Sequence, residues 1–499
     1  MDDRGKAIEY IIEKMLEGRR DIHRIKREAA LKFSVKMIRN SEIFGNAKGR
    51  LPGEILEKLR KKPMRTMSGV TPVAIMIKPS GSCTHNCIYC PFTGKAAKSY
   101  TGNEPAAMRA IQFGFDAGRQ VKGRIKQFNG MGHPTDKCEI IVMGGTFLEM
   151  PEEYRKDFIK KVYDGLNGTE SANLEEAMLK NETAAHRAIG LTIETRPDVC
   201  GEKEIDEMLS YGATRVELGV QNPDDDIYKK INRGHGTEDV VRATEMLKDS
   251  AFKVLYHVMP GLPGSNPEKD IEMIKRIFSD ERFRPDMLKI YPTLVMEGTE
   301  LYRMMKEGGY EPYSSEEAAD VISEFFRYIP KYVRVMRIQR DIPANLISSG
   351  VTKSNLRELV HKRIKEKGIK PVEIRIKEVR AEFNSGEFSV KRFDYDASNG
   401  KEIFLSYENE DSIAGFIRLR LKDDNAFIRE LHVYGTEAGI GKDGTVQHKG
   451  IGKKLLEDAE EITRESGGER LAVISGVGAR EYYFRQGYER YGNYVAKRV

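Results

Sequence analysis

The stretch "SGSCTHNCIYCPFTG" (residues 80–94) places three of the chain's five cysteines, Cys83, Cys87 and Cys90, in a C-x3-C-x2-C spacing. It follows the apolar run "VAIMIK" (73–78), so the three sulfurs sit on a loop leaving a strand and can converge on one inorganic centre. A structural zinc fills four positions, and apart from His85 within the loop no fourth ligand declares itself. A four-iron cluster ordinarily takes four thiolates, so three would leave one iron open. The other cysteines, Cys138 and Cys200, stand alone. An odd count with local clustering points to a reducing compartment and away from a disulfide framework.

Outward from this loop, short apolar runs alternate with stretches of helical spacing. The runs are "VAIMIK", "EIIVMGG" (139–145), "IGLTIET" (189–195), "TRVELGV" (214–220), "KVLYHVM" (253–259) and "MLKIYPT" (287–293). Six strands rich in Val, Ile and Leu, separated by helical segments such as "EEYRKDFIKKVYDGL", predict a parallel sheet with helices outside. Six units close only part of a TIM-like barrel, a partial (β/α)6 fold whose chemistry belongs at the carboxyl ends of the strands. Lys289, Tyr291 and, after the fourth strand, Gln221 are expected to face the cavity there; a lysine so placed also reads as a buried ion-pair partner.

At this point the chain resembles the radical SAM superfamily, whose hallmark is this cysteine spacing with an aromatic, here Tyr89, before the last cysteine. The resemblance implies a 4Fe-4S cluster on Cys83, Cys87 and Cys90, with S-adenosylmethionine chelated at the open iron. It also implies that "GGTF", with Gly144, Gly145 and Thr146, lies near the methionyl amino group, and that Glu194 and Arg196 of "IETRPD" and Gln221 line the cofactor.

Beyond residue 400 the pattern becomes antiparallel, with "EIFLSYE", "IAGFIRLRL" and "AFIRELHVYG", then a helix, a strand "RLAVISG" and a closing strand pair, an α+β domain of about a hundred residues. The helix opens on "QHKGIGKKLLEDAEEI", where Gly450 and Gly452 let backbone N–H groups approach an anion at a helix start. Alone this is a weak motif and fits a glycine turn without a ligand. With "RELHVYG" before it and "AVISGVGAREYYFRQGYER" after it, the segment resembles the GNAT acetyltransferase pattern. The resemblance implies acetyl-CoA held by Gln447, His448, Lys449, Gly450, Ile451 and Gly452, beside the strand residues Glu430, Leu431, His432 and Val433. Tyr482 or Tyr483 would protonate the departing thiolate, though a tyrosine packed in a core helix looks the same in sequence. His432, on a predicted strand, is expected to be packed, and no Glu or His of this domain stands out as a general base.

A chain of 499 residues and 56.7 kDa divides into several cores. The expected organisation is a basic helical segment over 1–70, a partial barrel over 71–330, a connector over 331–400 and the acetyltransferase-like domain over 401–499. Of the net charge of +6, residues 1–70 carry +8, from 18 Lys/Arg against 10 Asp/Glu, which leaves −2 for the rest. "RRDIHRIKREAALKFSVKMIRN" (19–40) reads as one basic helix, either a solvated face or a grip on a polyanion. No apolar run approaches the roughly 18 residues that cross a bilayer, and no signal-peptide core is present, so a cytoplasmic protein without a membrane partner is expected.

Together the two halves, with "SYTGNEPAAMRAIQFGFD", "NRGH", "LKIYPTLV" and "RIQRDIPANLISSGV", resemble the Elongator catalytic-subunit family of tRNA wobble-uridine modifiers across nearly the whole chain. The resemblance implies tRNA as substrate, leaves room for accessory Elongator-type subunits and for homo-oligomers, and implies a reaction. A 5′-deoxyadenosyl radical takes hydrogen from the acetyl-CoA methyl, the carbon radical adds to C5 of the uridine, and thioester hydrolysis leaves a carboxymethyl group. The basic N-terminal segment, with Arg334, Arg337 and Arg340, would grip phosphates. Some relatives carry a zinc at the domain junction; with no cysteine after Cys200, none is expected here. The rival reading is a protein lysine (histone) acetyltransferase with a structural iron–sulfur cluster, and a radical enzyme for a small metabolite would leave the basic N-terminus unexplained.

Overall fold

All six apolar runs become parallel strands. They are β1 (Val70–Met76), β2 (Lys137–Met143), β3 (Arg187–Thr195), β4 (Arg215–Gln221), β5 (Lys253–Val258) and β6 (Met287–Ile290), each hydrogen-bonded to the next in chain order. The computed structural model describes residues 1–47, 49–60, 69–80, 83, 85–145, 147–379, 387–434 and 450–499. A seventh parallel strand, β7 (Arg334–Ile338), extends the sheet from within the segment expected as a connector. Its sequence "RVMRI" sets two cations three residues apart, and a register shift opposite Leu288/Lys289 lets both Arg334 and Arg337 face the cavity while Val335 and Ile338 are buried. An edge strand so patterned reads in sequence as a basic surface patch. With β1 and β7 at its two edges, the sheet is an open barrel.

The helices between strands bury one stripe each. In Glu152–Asn167, Phe158, Ile159, Val162 and Leu166 turn inward. Glu152 and Glu153 sit at the positive end of the dipole, and Gly168 closes the helix at φ 78°. Burying side chains of this size stabilises by about 1.5–3 kcal/mol each.

Four N-terminal helices, Asp3–Leu16, Ile22–Lys32, Asn40–Ala47 and Gly53–Leu59, share a core of their own around Ile11, Ile12, Ile25 and Ile43. The single helix expected over 19–40 stops at Lys32. Ser34 turns left-handed (φ 50°) and the Val35 N–H returns to the Ala30 carbonyl, a Schellman-type stop with serine where glycine is usual. Ile38 reaches that core from beyond the break.

The C-terminal domain is built on a second seven-stranded sheet, ordered β13-β14-β12-β11-β10-β9-β8. Its strands are β8 (Ser389–Ala397), β9 (Gly400–Glu408), β10 (Ile413–Lys422), β11 (Asn425–Val433), β12 (Arg470–Val473), β13 (Glu489–Tyr491) and β14 (Tyr494–Arg498). The sheet therefore begins before residue 401. β8, largely exposed, also falls in the expected connector, and its "SVKRFDYDA" lacks the apolar face that would have announced it.

This sheet docks on the amino-terminal ends of the barrel strands through buried charge. Asp286, just before β6, receives two guanidinium bonds from Arg429 at 2.8 and 2.5 Å and the Val254 N–H at 2.8 Å. Glu402 takes Arg429 at 2.9 Å and Arg420 at 2.9 Å, with the Lys248 ammonium at 3.6 Å. Burial opposes the Asp286 anion, but the Arg429, Lys248 and Arg418 charges outweigh it and hold the carboxyl well below its ordinary range. Gly476, after β12, lies so close to β3 that a Cβ would stand 2.1 Å from the Ile189 carbonyl oxygen.

Candidate functional site

The cysteine loop leaves β1 at the carboxyl end of the barrel and is clamped there by backbone. The Ile88 N–H donates to Ile231 O at 3.1 Å, the Leu301 N–H to Ile88 O at 2.9 Å, and the Asn232 amide to Asn86 O at 3.0 Å. Gly234 (φ 78°) leaves the space that the His85 ring occupies; a Cβ there would stand 2.0 Å from Nδ1. His85 leans instead on Asp198, 3.5 Å away. The stretch "NRGH" is thus the seat of the loop.

Cys83, Cys87 and Cys90 are free thiols lining one cavity. Arg233 donates to Cys87 Sγ at 3.5 Å. Burial pushes the Cys87 thiol up, but the Arg233 guanidinium, as charge and as donor, more than offsets this and leaves it below its ordinary value. Burial, with the Cys87 charge beside it, raises Cys90 to about 11. Three thiols lining one cavity, one tuned by a buried arginine, fit an iron–sulfur cluster.

Around them lie the expected cofactor residues. Arg196, on the cavity wall, binds Asp198 through Nε and Nη2, both at 3.0 Å, while its buried Nη1 has no hydrogen-bond partner among the described residues. Glu194 accepts from the Tyr100 hydroxyl at 2.9 Å and from the Gly144 N–H at 3.4 Å. Gly144, at φ 122°, could carry no side chain, since a Cβ would stand 2.6 Å from Ile77; Gly145 has open space beside it. Gln221 takes a left-handed turn (φ 66°) as β4 ends, and lines the same cavity. Thr146 lies outside the described residues.

Deeper in the lumen, Lys289 of β6 pairs with Glu217 of β4 and stands 3.7 Å from Glu194 of β3. His257 of β5 shares Glu217 at 2.8 Å and meets the Tyr291 ring edge-on at 5.3 Å. Glu194, Glu217 and His257 offer ligand atoms within 4.8 Å of one another, a spacing that would suit a metal. The Lys289 ammonium, paired with both carboxylates, already supplies the positive charge there. Burial disfavours that cation, yet Glu217, Tyr291 and Glu194 keep it well above the usual lysine range. Lys289 is therefore both of the things its sequence position allowed, a cavity residue and an ion-pair partner.

At the amino-terminal end the lumen meets a wedge in the second sheet. β11 and β12 run parallel only through Ala426–Leu471, Phe427–Ala472 and Ile428–Val473. A bulge then sets Arg429 between the pairs Leu419–Ile428 and Arg418–Glu430, sending its side chain to Asp286. Glu430, Leu431 and His432 stay paired to β10 but leave β12, and they line the cavity with residues 473–476, Tyr482 and Tyr483. Val433 also stays on β10, where its side chain lies 3.6 Å from the Cβ position of Gly452. Gly450 (φ 78°) caps the helix Ile451–Glu465, and a Cβ on Gly452 would stand 3.0 Å from the Tyr482 hydroxyl. Burial raises both tyrosines, Tyr483 being 7% and Tyr482 38% exposed. Gln447, His448 and Lys449 lie outside the described residues.

The cavity is continuous from the cysteine loop to the wedge, about 1810 Å3 in volume. Its β7 side differs from expectation. Arg334 is engaged by Glu378 and by the Tyr434 hydroxyl at 2.6 Å, Arg337 by Asp341 at 2.6 Å, and Arg340 donates to Ser99 O at 2.6 Å. Arg334 and Arg337, expected to grip phosphates, are thus wall residues with carboxylate partners, since β7 turns them inward. Sequence reasoning gave no role to Tyr100, His257, Glu217 or Arg233; each is an unremarkable polar residue until the strands bring it to the lumen.

Residues 77–277 match the radical SAM superfamily, 285–366 the radical SAM C-terminal domain and 372–488 the acetyltransferase (GNAT) family. The chain is 47% identical to the tRNA uridine(34) acetyltransferase of Methanocaldococcus jannaschii, over 100% of this chain and 99% of that protein. It is 40% identical to human Elongator complex protein 3, over 99% and 96%. Among solved structures, the archaeal Methanocaldococcus infernus Elp3 with an N-terminal deletion (1–46) superimposes with a TM-score of 0.77 at 44% identity, covering 87% of this chain and 100% of that one.

Proposed function

We propose, for a chain that belongs to the family of the tRNA uridine(34) acetyltransferases and Elongator complex protein 3, a tRNA modification in which S-adenosylmethionine radical chemistry and acetyl-CoA place a carboxymethyl group on C5 of the wobble uridine. The observation that carries this reading is the single cavity joining the three-cysteine loop to the splayed strands. A radical enzyme alone needs no wedge at the far end of its barrel, and an acetyltransferase alone needs no lumen.

Cys83, Cys87 and Cys90 would hold the cluster, which with S-adenosylmethionine would supply radical chemistry able to break an unactivated C–H bond. The chain's part is binding and aim. Arg196, with its free Nη1, would take the methionyl carboxylate, and Gly144 and Gly145 leave the strand end open to the amino group. Gly450, Ile451 and Gly452 would receive the pyrophosphate of acetyl-CoA, with Glu430, Leu431 and Val433 along its acyl arm. Tyr482 or Tyr483 would protonate the leaving thiolate. Lys289 and Tyr291 would meet the turned-out base in the lumen, while the basic N-terminal module holds the phosphate backbone. Accessory subunits of the Elongator kind and a cytoplasmic location, where all five thiols stay reduced, belong to the same reading. No described helix is long and apolar enough to cross a membrane.

A protein lysine acetyltransferase with a structural cluster would leave the Lys289–Glu217–Glu194 set without a task. Cluster-loaded protein given S-adenosylmethionine, acetyl-CoA and tRNA should form carboxymethyluridine, and Cys87→Ala should abolish it. Product that survives loss of a cysteine ligand refutes the reading; acetylated histone tails formed without tRNA support the rival.

A further inference from the structure

We propose that His432 is the general base that activates water for cleavage of the acetyl thioester, an assignment that rests on the wedge being the acetyl-CoA site. Three features of the wedge carry it. His432 lies on β11 four residues past the last pair with β12, where the strands have already splayed, and its side chain lines the cavity. The ring is held in place, stacked on Phe416 (5.8 Å, 16°) and leaning on Tyr434 (4.3 Å). Its Nε2, although buried, has no hydrogen-bond partner among the described residues.

A ring nitrogen in that state costs about 1–3 kcal/mol in lost hydration unless something uses it. Glu430, the rival on the same strand, accepts from Arg418 Nε at 2.8 Å, so its charge is matched by a buried guanidinium. His432 faces Glu430 on β11, Arg334 on β7, Glu378 beyond the short helix Ile374–Lys377, and Glu139 on β2. Burial is the largest influence and favours the neutral ring; Arg334 adds to it, and the three carboxylates oppose it without prevailing, so the imidazole lies below its ordinary value. A neutral ring with its proton on Nδ1 presents a lone pair at Nε2.

The step balances without a further reagent. Water gives a proton to Nε2 as its oxygen bonds to the thioester carbonyl carbon. The C–S bond then breaks, the thiolate takes a proton from Tyr482 or Tyr483, and the imidazolium restores the tyrosine proton by way of solvent. The products are a carboxylate, free CoA and one proton released to the medium.

The test is His432→Gln in the full-length protein, with CoA release from acetyl-CoA followed in the presence of tRNA. Positioned general bases contribute about 10²- to 10⁴-fold, so release should fall by at least about 100-fold. Acetyl-CoA binding by calorimetry should stay within about twofold. Wild-type release should rise with pH through an apparent value below the ordinary histidine value of about 6.5, and His432→Gln should lack that limb. NMR of the wild-type protein should show the His432 ring neutral at pH 7. Should His432→Gln lose acetyl-CoA binding, His432→Asn and this NMR titration decide. Wild-type rates in the variant, retention of the acid limb, or a protonated ring at pH 7 overturn the assignment alone. Absence of CoA release from the wild-type protein with tRNA present brings down the wedge reading as well.

Discussion

Lys289 shows how much one side chain holds in this lumen. Its ammonium separates two carboxylates, Glu217 at 0% and Glu194 at 7% side-chain exposure, that could not otherwise both stay ionised so close together. Lys289→Met should abolish carboxymethyluridine formation and lower stability by about 3–5 kcal/mol, since removing one partner leaves an uncompensated buried charge; chemical denaturation and product analysis check the two halves. A variant as stable as the wild type would show that the pair is not closed. At this scale the sequence was legible where spacing carries chemistry. Cys83, Cys87 and Cys90 declare themselves because three thiolates so close have few other uses. Arg233 and Tyr100 do not, because their contacts, to Cys87 and Glu194, span 146 and 94 residues and exist only once the strands are in place. His432 was legible as a strand residue, but the missing partner of its Nε2 is a fact of packing.

Among the elements, β7 and the β11–β12 pair do the positioning. β7 was hidden because its inward face is cationic; a strand that lines a polar lumen loses the apolar alternation by which strands are recognised. The wedge was legible only in part, since "RELHVYG" marks the strand but not the bulge that drives Arg429 into Asp286. That contact fixes the acetyltransferase sheet against the barrel. Asp286→Asn should destabilise the protein by about 3–5 kcal/mol, as Arg429 and Arg418 lose their counter-charge in a buried site. The pH dependence follows the depressed carboxyl. Its contribution is complete above the ordinary aspartate value of about 3.9 and is lost only as pH falls below that, toward the lower folded-state value. Thermal denaturation of the wild-type protein should therefore show this interface intact at pH 5, and Asp286→Asn should lack the wild-type loss of stability below pH 4. An unchanged acid profile in the variant would contradict the role.

As a whole, the molecule is an open barrel with the three-cysteine loop at one mouth, the splayed strands of the second sheet at the other and a charged lumen between. The sequence predicted both domains and their order, because each carries a motif whose residue types and spacing are tied to its chemistry. It could not predict that they face each other through the lumen, because that arrangement follows from contacts of Asp286, Glu402 and Gly476 between the two domains that no sequence pattern marks. The central claim is that the radical generated at the cysteine loop acts on the acetyl group delivered from the wedge. A single turnover with tRNA and acetyl-CoA deuterated in its methyl group tests it most directly. Deuterium recovered in 5′-deoxyadenosine, in proportion to carboxymethyluridine formed, is the predicted result; modified tRNA accompanied by deuterium-free 5′-deoxyadenosine would contradict it.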